Sequence, residues 1–189
     1  MTKSFLRSQS GMAAIETAFV LPVLLLLYFS MLDLIQYITY NRRVTAIAAT
    51  IGDTVTQTPT TIVRATIVDY FNAVNIIMPP AQAANVHVNV YGYYLKNGAP
   101  TQRWNVASSG GPACTAPDTT NFASLMTTGN DLVVSVACMT YSPPMAQFMG
   151  KNLMGSTSFL MNQTITSRPR TSQSLNCVTA SGGSTVCTG

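Results

Sequence analysis

The most informative chemical group in this sequence is the carboxylate of Glu16, which lies near the start of an otherwise uncharged apolar run, Met12–Leu32. A carboxylate inside a membrane-spanning helix costs about 2.5–3.5 kcal/mol on insertion scales, so it normally has a partner. If a protease cleaves after Gly11, the new amino group on Met12 comes about one helical turn from this acid. In a helical bundle the acid can instead pair with the amino terminus of a neighbouring chain and set the axial register between subunits. The alternative is that Glu16 only marks the interface, before the true span begins at Thr17.

The cysteines are the second set of residues that can do chemistry. All four, Cys114, Cys138, Cys177 and Cys187, lie in the C-terminal half of the chain. An even count in a small exported domain indicates disulfides, and four cysteines allow three connectivities. We favour Cys114–Cys138, which ties a long loop to a strand, and Cys177–Cys187, which staples the tail. A zinc site is the alternative, but no close CxxC pair exists and the single His87 lies elsewhere, so we expect no metal.

The composition argues against most other chemistry. Charged residues make up 8% of the 189-residue chain, against about 25% in an average soluble domain. The net charge of +4 is small and scattered, which argues against a nucleic-acid partner. With one histidine and six acidic residues, we expect no enzyme activity, no catalytic residue and no cofactor. The remaining enzymatic alternative, an exported hydrolase, would need a cleft that gathers His87 with Asp118 or Asp131.

Several elements must position these residues, and their pattern predicts an α+β fold. A basic leader comprises residues 1–11, and a long helix comprises residues 12–57. Its segment 12–32 matches the roughly 20 apolar residues that a helix needs to cross a membrane. A head is expected at residues 58–170 and a polar, disulfide-stapled tail at residues 171–189.

Within the head, local signals predict a second amphipathic helix and a small antiparallel sheet. Thr58-Pro59 is typical of a helix start, and Pro79-Pro80 ends the helical stripe. From Asn85 onward the apolar period changes to two, and Asn97-Gly98 is a hairpin signal. Four strands are expected at Val86–Leu95, Thr101–Val106, Leu132–Tyr141 and Ser156–Thr166.

Basic residues alone do not orient the span in the membrane. Lys3 and Arg7 precede it, while Arg42 and Arg43 follow it, which leaves the positive charge balanced. The cysteines decide the orientation, because disulfides form outside the reducing cytoplasm. We therefore expect a cytoplasmic N-terminus and an exported head.

The segment GMAAIETAFVLPVLLLLYFSMLDL resembles the class III signal of type IV prepilins. More specifically, it is similar to the TadE/TadG-like proteins of the tight-adherence (Tad/Flp) pilus, whose pattern reads approximately G-x-A-A-[IV]-E-x-A-x-x-L-P. The matching positions are Gly11, Ala13, Ala14, Ile15, Glu16, Ala18, Leu21 and Pro22. Thr17 departs from the major Flp pilins, which have tyrosine after the glutamate and are much shorter. The resemblance therefore implies a minor pseudopilin with a pilin-like head.

This resemblance also implies a processing route and a set of partners. A prepilin peptidase is expected to cleave between Gly11 and Met12, after which Glu16 takes part in assembly with other pilins or pseudopilins. The implied location is the bacterial inner membrane, with a single span, contacts to inner-membrane platform proteins and a periplasmic head that can enter an extracellular pilus. The alternative is an uncleaved, TadG-like scaffold of the pilus secretion machinery.

Overall fold

This computed structural model describes residues 9–109, 113–145, 158–170, 174–179 and 186–187, with side chains described from Ala14 onward. Residues 1–8, which hold the basic positions of the predicted leader, lie outside the described residues. The helices are α1 (Gln9–Thr56), α2 (Arg64–Tyr70), α3 (Ala73–Ile77) and α4 (Pro80–Ala83). The strands are β1 (Thr61–Val63), β2 (Val86–Lys96), β3 (Ala99–Ala107), β4 (Leu132–Tyr141), β5 (Phe159–Ser167) and β6 (Asn176–Val178).

The chain divides into two compact units. One comprises Met1–Thr39 with Ser142–Thr157, and the other comprises Tyr40–Tyr141 with Ser158–Gly189. Helix α1 contributes residues to both units. We refer to the second unit as the head.

In the first unit, α1 exposes apolar side chains on all sides. The large residues of this segment are between 38% and 75% exposed, from Ile15 to Ile38. The helix is long and apolar enough to cross a membrane, with a window of mean hydropathy 2.3 that is not buried at all. Pro22 lies inside it, as membrane helices tolerate. The predicted long helix is therefore present, and its described part comprises Gln9–Thr56.

The head is built on a four-stranded antiparallel sheet with the order β3-β2-β4-β5. Its first hairpin turns at Asn97 and Gly98, whose φ angles are 53° and 81°. Positive φ at both central residues is the requirement of a type I′ turn, for which Asn-Gly is a preferred pair. The predicted α+β class and the predicted four strands are confirmed.

One face of this sheet packs against the last part of α1. The buried helical residues recur at a period of three to four and are fully inaccessible: Val44, Ile47, Ala48, Ile51 and Val55. They join the sheet residues Val88, Val90, Val133 and Met139 in one apolar core. The second face carries a separate core beneath the loop between β3 and β4, formed by Tyr91, Tyr93, Phe122, Met126, Leu132, Val134 and Val136. Because successive side chains of a strand point to opposite faces of the sheet, the strands contribute residues to both cores.

The stretch after α1 differs from the predicted single amphipathic helix. Residues Thr61–Val63 form β1, which pairs in parallel with β6 at Ile62 and Cys177. The helical stripe that follows is divided into α2 and α3. Consecutive β-branched residues favour a strand, and the partner strand comes from a distant part of the sequence. The described part of the predicted polar tail also contributes buried residues to the core, since Leu175 and Cys177 are fully inaccessible.

Gly92 in β2 is needed because the indole ring of Trp104 lies against its backbone. The two residues pair across β2 and β3. A Cβ atom at position 92 would lie 2.3 Å from two atoms of the ring. Trp104 is 1% exposed, and its Nε1–H donates a hydrogen bond to the Leu175 carbonyl oxygen at 2.8 Å. Any side chain at position 92 must therefore displace the ring.

We predict that Gly92→Ala lowers the free energy of unfolding of the head by about 3 kcal/mol, because overpacking a filled core forces a side-chain or backbone shift. Trp104 is the only tryptophan of the chain, so urea unfolding followed by its fluorescence reports on both stability and burial. The emission of the folded variant should also shift to the red. Thr164→Ala, at an exposed position of β5, is the control and should change stability by less than about 0.5 kcal/mol. Unchanged stability and emission in Gly92→Ala would contradict this packing account.

Candidate functional site

The exposed part of α1 presents the acid that the sequence singles out. Gly11 and Met12 lie within the helix, and Glu16 follows on it with an exposed side chain. Beside the carboxylate is an apolar hollow of about 500 Å³, lined by Thr17, Val20, Leu21, Leu24, Leu25 and Tyr28. None of the described residues gives Glu16 an ion pair or a hydrogen bond. The carboxylate is therefore placed to accept a partner from another molecule.

The acid at the other end of the apolar run has a different environment. The Asp33 carboxylate accepts a hydrogen bond from the Met145 backbone N–H at 3.0 Å. A cavity of about 650 Å³ lies beside this contact, between α1 and the turn after β4, with Phe29, Leu32 and Pro144 in its lining. All of these residues belong to the first unit. Asp33 thus has a partner within its own chain, which the sequence alone does not reveal because Met145 is distant in sequence.

The four cysteines form two disulfides, Cys114–Cys138 and Cys177–Cys187. These are the pairs favoured by the sequence, and they leave no cysteine available as a zinc ligand. The first bridge fixes the loop between β3 and β4 to the central strand β4. In the second, both cysteines are fully buried in the core that includes α1, so β6 is held by a covalent bond as well as by packing.

A buried ion pair, not anticipated from the sequence, fixes the segment that leads into β6. Asp131 is 5% exposed, and its carboxylate lies 3.2 Å from the Arg103 guanidinium. It also accepts a hydrogen bond from the Leu175 N–H at 2.9 Å, and Arg103 donates to the Asn176 side chain at 2.8 Å. The Arg103 guanidinium stacks over the ring of Tyr94. Burial raises the pKa of Asp131 above its usual 3.8, while the Leu175 N–H and Arg103 offset that effect only in part.

The residues that a hydrolase would need do not come together. His87 pairs with Cys138 at one end of the β2–β4 ladder, whereas Asp131 precedes Leu132, whose partner Tyr93 is at the other end. Asp118 caps a short 3₁₀ helix, where hydrogen bonds from Thr120 lower its pKa. Within the described ranges, no group of three or more His, Cys, Asp or Glu residues could hold a metal ion. The geometry therefore supplies neither a catalytic cluster nor a metal centre there.

Comparison with known families identifies the span as the recognisable part of the chain. Residues 11–52 match the family described as TadE-like protein, which confirms the resemblance seen at Gly11 and Glu16 and ties the chain to the Tad pilus system. The matched region covers the exposed helix and most of the helical segment that packs in the head. No curated protein and no solved structure matches the chain at a significant level.

We predict that the stability of the head depends on pH through Asp131. A carboxyl whose pKa is raised by folding binds its proton more tightly in the folded state. Its contribution to the free energy of unfolding is therefore present below about pH 3.8 and is lost as pH rises through the raised pKa. The free energy of unfolding of the wild type, relative to that of Asp131→Asn, should therefore fall as pH rises from about 3.8 through the raised pKa of Asp131. Urea titrations at several pH values measure this difference.

Asp118→Asn is the matched control because the pKa of Asp118 is shifted in the opposite direction. Relative to that variant, the wild type should gain stability as pH rises from below the lowered pKa to about 3.8, and should stay level at higher pH. A wild-type advantage over Asp131→Asn that increases with pH would contradict the assignment of a raised pKa to Asp131.

Proposed function

We propose that this chain, whose residues 11–52 match the TadE-like family, is a minor pseudopilin that takes part in assembling or anchoring a Tad/Flp pilus. The single observation that carries this proposal is the contrast between two acids on one helix. Asp33 has a hydrogen-bond partner in its own chain, whereas Glu16 has none among the described residues and lies in an exposed apolar segment. A carboxylate in an apolar segment of this kind has an unfavourable free energy unless a cation pairs with it.

In the proposed mechanism, a prepilin peptidase removes the leader after Gly11, and the new amino group on Met12 becomes the cation. Within one helix, residues four positions apart lie on the same face, so a chain can neutralise its own acid before assembly. In a bundle, the Glu16 carboxylate pairs with the amino terminus of a neighbouring pilin. The apolar hollow next to Glu16 would receive side chains of that neighbour, so the ion pair sets the register and the apolar contacts supply area.

We place the chain in the bacterial inner membrane, with its N-terminus in the cytoplasm and its head in the periplasm. The two disulfides support this orientation because such bonds persist in oxidising compartments. The expected partners are other pilins, the prepilin peptidase and inner-membrane platform proteins. The head would then prime, cap or anchor the pilus used for attachment to surfaces.

A second candidate function is an uncleaved, TadG-like anchor in the same machinery. The observation that favours it is that the described part of α1, from Gln9 onward, continues without a break past Gly11 and Met12. A peptidase can act there only if the first turns unwind. If they do not, the basic leader and the span stay joined and the protein remains a membrane scaffold.

We predict that the protein isolated from pilus-forming cells begins at Met12. Amino-terminal sequencing measures this directly, and the mature chain should be shorter by the 11 leader residues. Gly11→Val should leave the leader attached, because a β-branched side chain replaces the glycine before the scissile bond. Ser10→Ala is the control and should be processed normally. Retention of Met1 in the wild type would exclude the cleaved pseudopilin and support the anchor.

We predict that Glu16→Gln keeps the head folded and inserted but reduces incorporation into pili at least tenfold. The amide keeps the shape of the side chain and removes the charge that would pair with an amino terminus. Incorporation is measured by quantifying this chain in sheared pili, and insertion by its recovery in membranes. Ser30→Ala, at an exposed position of the same helix outside the lining of the apolar hollow beside Glu16, is the control and should assemble normally. Full incorporation of Glu16→Gln would overturn the docking role of this acid.

A further inference from the structure

The head contains a cleft that the pilus function does not use. It has a volume of about 600 Å³ and lies between α2, α3, α4 and the end of β3. All of its lining residues belong to the head. This volume falls within the range of about 300–1,000 Å³ that is typical of sites for small ligands.

Arg64 is the charged residue among those that line the cleft. Its Nε atom is buried and has no hydrogen-bond partner, and no carboxylate of the described residues pairs with its guanidinium. A buried donor without a partner destabilises the folded state, and more so when the group is charged. Arg103, by contrast, has Asp131, Asn176 and the ring of Tyr94 around it. The Arg103 guanidinium therefore has partners within the fold, whereas the Nε–H donor of Arg64 has none among the described residues.

The other lining residues indicate what kind of group completes this environment. Polar side chains come from Asn72, Asn75 and Ser109, none of which has an internal hydrogen bond among the described contacts. Ser108 also lines the cleft, and its hydroxyl already accepts a hydrogen bond from the Val88 N–H. The apolar lining residues are Val68, Phe71, Val74, Pro80, Ala83, Ala84, Val86 and Ala107. None of the described lining residues is an acid, and the three residues that follow Ser109 in the sequence, GGP, carry none. The described lining of the cleft thus combines one cation without an ion-pair partner, several amides and hydroxyls, and a set of apolar side chains.

We propose that this cleft binds a monocarboxylate whose attached chain is apolar. A guanidinium presents Nε–H and Nη–H in a planar fork that matches the two oxygens of a carboxylate. The ligand carboxylate would accept from the guanidinium of Arg64, and its apolar chain would contact Phe71 and Val74. A phosphate dianion fits less well, since among the described lining residues a single arginine supplies the positive charge. The carboxylate can come from the C-terminal residue of a polypeptide or from a free organic acid.

The test uses the full chain in lipid nanodiscs and three probes. These are acetyl-Ala-Ala-Leu with a free carboxylate, the same peptide as its C-terminal amide, and 4-methylpentanoate as a free acid with the same apolar chain. Binding is followed by calorimetry and by the Nε–Hε signal of Arg64 in ¹⁵N-arginine-labelled protein. We expect one or both acids to bind and to shift this signal, and the amide to bind at least tenfold more weakly. The ratio between the two acids then distinguishes a polypeptide terminus from a free acid.

Three variants make the result specific to the cleft. Arg64→Gln should weaken binding of the acids at least tenfold, while Arg42→Gln, which removes an exposed arginine of α1, should leave binding unchanged. Asn72→Asp places a competing carboxylate at an exposed position of the lining and should weaken binding severalfold even if Arg64→Gln fails to fold. Equal binding of acid and amide, unchanged binding in Asn72→Asp or in folded Arg64→Gln, or no binding of either acid to the wild type would overturn the proposal.

Discussion

The close approach of α1 to strand β4 is the constraint on which the head depends. A Cβ atom at Gly52 would lie 2.6 Å from the Ser135 hydroxyl oxygen, so glycine is the residue that permits this distance. The hydroxyl donates a hydrogen bond to the Ala48 carbonyl oxygen at 2.6 Å, which satisfies a polar group that would otherwise be buried without a partner. Helix and sheet are thus fixed both by packing and by a side-chain hydrogen bond. The apolar stripe of α1 is the centre of the larger core, so the head cannot keep its core without this part of the helix.

The same helix meets a different environment in the first unit. There its apolar residues are exposed in all directions, with Phe19 75% and Leu27 63% accessible. An apolar surface of this extent requires lipid or other helices to cover it. Acids within such a surface cannot rely on water for stabilisation. This explains why a partner matters more for Glu16 than for the solvated acids of the head, such as Asp118.

Local sequence signals were sufficient for the elements that depend on local chemistry. The long apolar run, the Asn97-Gly98 turn and the alternating strands each have a cause within a few residues, and each is present. The single helix expected after Thr58 was wrong in detail, because β1 is defined by its pairing with β6 from the far end of the chain. The Arg103–Asp131 pair is equally non-local, because the burial of the pair depends on the fold of the β3–β4 loop and of the segment before β6. At the candidate site, the sequence identified Glu16 from its apolar neighbours, but it could not show that Asp33 has a partner and that the Arg64 donor does not.

Two acids of α1 and two arginines of the head differ in the same way. One member of each pair has an internal partner, and the other has none among the described residues. Asp33 and Arg103 each have an internal partner, and removing charges from water is tolerated when such partners are present. Glu16 and Arg64 lie next to apolar surface without an equivalent partner among the described residues. In the proposed function, the missing group for Glu16 is a cation that a processed amino terminus would supply. For Arg64 it is an anion within reach of α2 and α3 in the head. Because the two groups need opposite charges and belong to different units, satisfying one does not satisfy the other, and the two interactions can be disrupted independently.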